Sequence, residues 1–285
     1  MNFYMELDED VANSGEAYMQ FTLPNGDTPK VYVNAQSDES LPYASKKDVD
    51  GKTYYVFKCS VAAKEMNATI TAQMIDGENE GQTYEYTVRD YAKYILDHSD
   101  DYSEELINLV KAMLNYGSFA QIYFDPSINY SDDDRLACHD LDTDMGAVEH
   151  VDVGLFAQPY DASNSDIPES VTFKGASLSL KSETTISIYL ESEEELRGFE
   201  DGPHPVEVKH TGNQYVARMR NYVAKDLICA CNLDFYTSAG DFVHIQFSPL
   251  NYCYEVVNDG SADEKLQNLC KALYCYWLAA NDYCD

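Results

Sequence analysis

Basic residues are scarce in this chain. Its 285 residues carry 19 lysines and arginines against 50 aspartates and glutamates, a formal net charge of −31. A surface of that sign repels phosphate backbones and anionic headgroups, so neither nucleic acid nor a membrane surface is an expected partner. The acidity is read as a solubility coat on a secreted or surface protein. Long apolar runs are missing as well. No stretch of 18 or more apolar residues exists, which argues against membrane insertion, and the first thirty residues have no basic start followed by a hydrophobic stretch. Because Met1 leads at once into the strand-like segment Asn2–Leu7, the chain is expected to be a mature protein or, preferably, an excised fragment.

The motifs of common chemistries are also absent. No phosphate loop, dinucleotide fingerprint, nucleophile elbow or paired-histidine zinc motif occurs. The six histidines, His98, His139, His150, His204, His210 and His244, belong to no repeated arrangement and read as surface or structural residues. With so many acids, carboxylate pairs arise everywhere, so no two of them can be nominated as a glycosidase couple. Asp140-Leu141-Asp142-Thr143-Asp144 resembles the start of a calcium loop, but Met145 replaces the expected glycine and Val151 the closing glutamate. The expectation is therefore no catalytic residue, no cofactor, no bound metal and no enzymatic activity.

What is present is an internal repeat. Leu106–Phe124, LINLVKAMLNYGSFAQIYF, and Leu266–Cys284, LQNLCKALYCYWLAANDYC, share 8 identities in 19 positions at an offset of 160. Unrelated sequences would share about one. Upstream, an offset of 161 aligns Thr87–Ala92 with Ser248–Cys253, Ala63–Met66 with Ala224–Leu227, and Tyr54 with Tyr215. The domain reading follows: module one over residues 1–125, an acidic linker over 126–150, and module two over 151–285.

The first copy holds short β-branched and aromatic segments at Tyr54–Val61, Ala68–Ile75 and Thr83–Val88. They are punctuated by Asn25-Gly26, Asp50-Gly51 and Asp76-Gly77, which signal hairpins. A short helix is expected over Val88–Leu96. A second begins at Ser103, a hydroxyl cap followed by Glu104 and Glu105. In the second copy Val171–Leu180 and Thr184–Leu190 alternate as strands joined at Lys181-Ser182-Glu183, whereas Phe3–Leu7 alone is expected to precede the equivalent body of the first. The opening strand of module one is thus expected to be missing, or supplied from outside the chain. Val151–Ala157 reads as a strand within the connecting region. The fold class is α+β, each module an antiparallel β-sandwich-like body followed by a two-helix hairpin.

Eight cysteines invite a disulfide framework, but the repeat argues otherwise. Cys229, Cys231, Cys253, Cys270 and Cys284 align with Ala68, Ile70, Ala92, Val110 and Phe124, so cysteine is used here as a small buried hydrophobe. Cys229 and Cys231 share a strand face, with Cys138-His139 as a thin complement for zinc. Tyrosine is abundant, 24 residues against the single Trp277. Tyr54, Tyr91, Tyr116 and Tyr123 keep a tyrosine in the second copy and are expected in the core, whereas Tyr32 and Tyr43 face Glu193 and His204. No shared fold demands an aromatic there. Tyrosine offers large amphipathic area with few rotors, so Tyr32 and Tyr43 are the candidate partner-contact residues.

The run Tyr86–Ala92 followed by Leu109–Gly117 resembles a module that recurs in large cell-surface proteins of anaerobic gut Firmicutes. Gly175–Thr185 and Lys271–Tyr274 resemble the opening and close of its second half. The resemblance spans most of the chain. It implies a cell-wall-attached or secreted multi-domain protein, and some relatives look like immunoglobulin-binding B-cell superantigens of commensals. Host immunoglobulin is accordingly the favoured partner of a protein expected to be monomeric. A carbohydrate-binding module and a purely structural spacer are the alternatives, the first weakened because sugar platforms favour tryptophan.

Overall fold

The computed structural model describes residues 1–38, 41–128, 133–180, 184–202, 204–222, 227 and 231–284. It is a mixed α and β protein built on four antiparallel sheets and six α-helices among those residues. Two compact units divide it: residues 1–61 with 65–94, and residues 62–64 with 95–285.

In the first unit β1 (Asn2–Met5), a short helix α1 (Glu9–Ala12), β2 (Tyr18–Thr22), β3 (Lys30–Tyr32), β4 (Ser45–Val49), β5 (Lys52–Lys58), β6 (Ile70–Asp76) and β7 (Asn79–Tyr86) precede α2 (Val88–Asp97). They make a three-stranded sheet ordered β1-β5-β4 and a four-stranded sheet ordered β3-β2-β6-β7. Met19, Phe21, Phe57, Ile70 and Ala72 from the two sheets close one core. Each large side chain so enclosed contributes about 1.5–3 kcal/mol relative to exposure. The β4–β5 turn sets Asp50 at φ 50° and Gly51 at φ 78°, the positive angles of a tight hairpin. Four strands precede β5 rather than the one read from the sequence, because β2 and β3 lie in a stretch whose short apolar segments alternate with polar turns.

The second unit begins with α3 (Glu104–Phe124) and α4 (Met145–Glu149). It continues through β8 (Val171–Leu180), β9 (Thr184–Ser192), β10 (Leu196–Glu200), β11 (Val206–Thr211), β12 (Gln214–Tyr222), β13 (Cys231–Thr237) and β14 (Phe242–Phe247) to α5 (Pro249–Asn258) and α6 (Glu264–Cys284). Its sheets are ordered β11-β12-β9-β8 and β10-β13-β14. Ile186, Ile188, Leu190, Leu233, Phe235 and Ile245 fill the space between them.

Ser103 caps α3 by accepting from the Leu106 amide, and Ser248 caps α5 in a reciprocal box with Asn251. From Leu114 to Ile122 every residue of α3 is buried. A helix apolar or enclosed on all sides needs a second helix, and α3 packs along α6. The acidic segment before α4 is ordered against this pair. Ala137 N–H donates to Gln121 Oε1 and Cys138 N–H to Ser118 Oγ, while Leu136 and Ala137 are buried.

The strand expected over Val151–Ala157 is instead a 3₁₀ turn over Val153–Leu155. Asp152 accepts the Gly154 amide, and that local bond competes with any sheet ladder. The expected turn Lys181-Ser182-Glu183 lies outside the described residues, as do Ala224–Asp226 and Cys229.

Element bounds follow the repeat closely. β6 and β13, like α2 and α5, stand 161 residues apart with equal lengths, and α3 and α6 stand 160 apart. The pairing of Tyr54 with Tyr215 slips by one residue: β5 buries Tyr55 and Phe57 where β12 buries Tyr215 and Ala217. A strand alternates faces every residue, so Tyr54 stands on the face opposite that of Tyr55. Tyr91 is also exposed, against its expected place in the core.

Candidate interaction surfaces

The two sequence-nominated tyrosines meet. Tyr32 closes β3 and Tyr43 bridges to it in parallel, the Tyr32 amide donating to Pro42 O at 2.9 Å and the Ala44 amide to Tyr32 O at 2.7 Å. The chain thus returns to one point after ten intervening residues, which sequence distance alone hides. Tyr18, opposite Tyr32 in the β2–β3 ladder, adds a ring 5.6 Å from that of Tyr32, and Lys30 Nζ lies 4.2 Å over the Tyr18 ring and 3.1 Å from its hydroxyl. Tyr43 is 59% exposed. The group presents aromatic area and hydroxyls beside one of the few lysines of an acidic chain, suited to a partner's polar and apolar atoms together.

A second set of tyrosines was missed in the sequence. Tyr84 and Tyr86 on β7 are exposed, and every residue of that strand is exposed with them. Tyr86 pairs in register with Ile70 and Tyr84 with Ala72, both buried, so these tyrosines stand on the core-facing side of their sheet. Burial, followed by Asp90 and Tyr94, raises the Tyr86 hydroxyl above its ordinary value. The signal that could have found this pair is the repeat: Tyr84 and Tyr86 align with Ile245 and Phe247 of β14, both buried.

The second unit carries polar groups in pairs. Asp201 is buried and accepts from the Tyr222 hydroxyl at 2.6 Å and the Asn232 amide at 2.8 Å, while His204 stacks on Tyr222 with ring centroids 4.0 Å apart. Burial raises Asp201 above the usual carboxylate range, against the lowering effect of those two donors. It also pushes the Tyr222 hydroxyl up. Across the β13–β14 ladder His244 Nδ1 lies 2.6 Å from Asp234. In the first group Tyr222 is also hydrogen-bonded to the buried Cys231, so polar atoms enclosed at the ends of β10 and β12 are satisfied there, whereas Asp234 and His244 form a half-exposed pair in mid-ladder. A cavity of about 390 Å³ lined by Phe156, Gln158, Asn164, Gln246 and Leu250 is held open where Asn251 donates to Gln158 O and Pro159 O.

The acidic loop resembling a calcium site spreads its carboxylates apart. Asp140 lies with His139, Asp142 with Lys111, and Asp144 caps α4 through the Ala147 amide. Cys138 Sγ lies 3.2 Å from Met145 Sδ. Among the described residues no group of three or more histidines, cysteines or acids is arranged to hold a metal ion. Cys59, Cys138, Cys231, Cys253 and Cys270 are free and buried, Cys275 is half-buried and Cys284 exposed. No helix among the described residues is long and apolar enough to cross a membrane.

No protein-family model matches the chain, and no curated protein matches it.

Proposed function

We propose that the chain is a non-catalytic cell-surface binding protein of a gut bacterium, built of two modules of one kind and taking host immunoglobulin variable domains in a superantigen-like manner. The observation that carries this reading is the Tyr18–Tyr32–Tyr43 group, an exposed Tyr43 beside half-buried Tyr32 and Tyr18, with Lys30 at its edge. Antibody domains present sheet surfaces of mixed polarity, and tyrosine contacts suit such surfaces. The acid coat keeps the rest of the surface soluble and poorly adhesive.

The tandem reading draws on matched elements. β5, β6, β7 and α2 recur in order as β12, β13, β14 and α5, followed by α3 and α6. A carbohydrate platform has less support, since Trp277 is 3% exposed and packs edge-on against Phe156.

The test is capture by the immobilised chain from serum, with purified variable-domain and constant-domain fragments assayed separately. Saturable binding of variable domains supports the reading. Silence toward immunoglobulin, or a signal on a glycan array instead, overturns it.

A further inference from the structure

In the second unit β14 turns Val243, Ile245 and Phe247 into the core and Phe242, His244 and Gln246 outward. On β13 Tyr236, Asp234 and Asn232 stand directly opposite those three, so the outer face of the sheet carries three cross-strand pairs in a row. Tyr236 and Phe242 are 47% and 44% exposed, with ring centroids 5.4 Å apart. Gly198 of β10 lies beside the Tyr236 ring and raises no side chain against it. Next come the Asp234–His244 pair and then Gln246, whose Nε2 donates to Asn232 Oδ1 at 3.4 Å. At the rise of a strand, the row from Phe242 to Gln246 is about 13 Å long. Gln246 is also part of the wall of the 390 Å³ cavity, so the row leads into it.

The cavity has the size of a small-ligand pocket, and no lysine, arginine or histidine is among its described lining residues. Asn251 is fixed there, its Oδ1 accepting the Ser248 amide while its Nδ2 holds Gln158 O and Pro159 O. The side-chain amides of Gln158 and Asn164 make no hydrogen bond among the described residues, and each keeps both donors and an acceptor for a ligand. Hydrogen bonds from the Ser163 side chain and amide hold the Asp161 carboxyl below its ordinary value. Phe156 is 53% exposed, and Trp277 backs its ring edge-on at 5.8 Å.

The fold shared by the two copies demands none of this. Tyr236 and Phe242 align with Ile75 and Gly81, and the β6–β7 ladder shifts register between Gln73 and Ile75, where the aromatic pair would stand. Asp234, His244 and Gln246 align with Gln73, Thr83 and Glu85. Nor does β14 offer an edge for strand addition. His244 exchanges both backbone bonds with Asp166, at 2.8 and 3.0 Å, and the Gln246 amide donates to Ser165 Oγ. A ligand on this face is read by side chains.

We infer that the cavity and the strip from Gln246 to the Tyr236–Phe242 pair bind a neutral, linear oligosaccharide, with a terminal sugar in the cavity against Phe156 and further sugars along the strip. Sugar hydroxyls both donate and accept, as the amides of Gln158 and Asn164 do, and the C–H faces of a pyranose ring lie well against exposed aromatic rings. Asp161, Asp234 and Glu200 outnumber Arg197 along this face, which disfavours acidic sugars. Tryptophan is not the platform here, since Trp277 only backs Phe156. The inference stands apart from the immunoglobulin reading, which rests on tyrosines of the first unit, and the two hold or fail separately.

The probes are tetrasaccharides of β-1,4-linked glucose, mannose and xylose and of α-1,4-linked glucose, titrated calorimetrically into the full chain. Tetragalacturonic acid and the matching monosaccharides serve as comparisons. At least one neutral tetrasaccharide should bind saturably with a Kd of about 1 mM or tighter, and its monosaccharide and the acidic tetramer about tenfold more weakly or worse. Tyr236→Ala with Phe242→Ala should weaken the tetrasaccharide about tenfold, and Asn164→Ala, a change in an exposed turn, keeps the test open if the aromatic variant fails to fold. Both variants should capture immunoglobulin variable domains as the parent chain does. Three results overturn the inference: no binding of any neutral tetrasaccharide, equal affinity for the acidic one, or full affinity retained in the variants.

Discussion

Tyr116 and Tyr276 lie stacked, with ring centroids 5.6 Å apart and planes 16° from parallel. They occupy the same place in the repeated helical sequence, 160 residues apart, and they are where α3 and α6 meet. Burial raises both hydroxyls above their ordinary value, in Tyr116 with Tyr276 as the next cause. The contact joins two distant copies of one helix into a single core.

Removing either ring should therefore be costly. Tyr116→Ala is expected to destabilise by about 3–5 kcal/mol, the range for an aromatic lost from a packed interior. A double-mutant cycle with Tyr276→Ala, read by denaturant unfolding, should return a coupling of about 0.5–1.5 kcal/mol. A coupling near zero would mean the two rings are neighbours without being partners.

At the proposed partner surface the direction reverses, with binding affected more than stability. Tyr43→Ala touches an exposed side chain and should change stability by no more than about 0.5 kcal/mol. Combined with Tyr32→Ala it should weaken binding of immunoglobulin variable domains by about tenfold or more, measured by surface-immobilised titration. Unaltered affinity in the double variant would remove these residues from the contact.

Asp201 should give the second unit a pH dependence opposite to that of a paired surface carboxylate. Its folded value is raised above 3.8, so the native state holds this proton more tightly than the unfolded chain does. The stability tied to that proton is complete below the unfolded value and is lost as pH rises through the folded one. Asp201→Asn cannot titrate. The stability difference, wild type minus variant, should be greatest below about pH 4 and decline as pH rises toward 7 in urea melts. A flat difference would place the shift elsewhere.

Thiol reactivity should sort by burial. Cys284 is exposed and should react first with an aromatic disulfide reagent, whereas burial pushes the Cys59 and Cys275 thiols up to about 11 and buries Cys253 against Cys270. The native protein should titrate about one fast thiol, and the denatured, unreduced protein all eight cysteines of the chain. Fewer than eight on denaturation would reveal a disulfide.

The local pattern of the chain determined much of this protein on its own. Alternation set β8 at Val171–Leu180, a serine cap set the start of α3, and the internal repeat placed α2 and α5 at matched positions, because these features depend on neighbours a few residues away. What depended on distant segments was out of reach. One local feature was missed too, the Asp152 bond to the Gly154 amide that makes a 3₁₀ turn of an expected strand, because alternation does not encode it. Tyr91, Tyr84 and Tyr86 looked like core residues or passed unnoticed, since burial depends on which strand lies opposite. A one-residue change of register in β5 moved the buried position from Tyr54 to Tyr55. Tyr32 and Tyr43 could be named from composition, but only chain return at the β3 bridge made them one surface. Only the assembled sheets decided that β7 stands exposed where Ile245 and Phe247 of β14 are buried, because burial is a property of the whole fold and of no single segment.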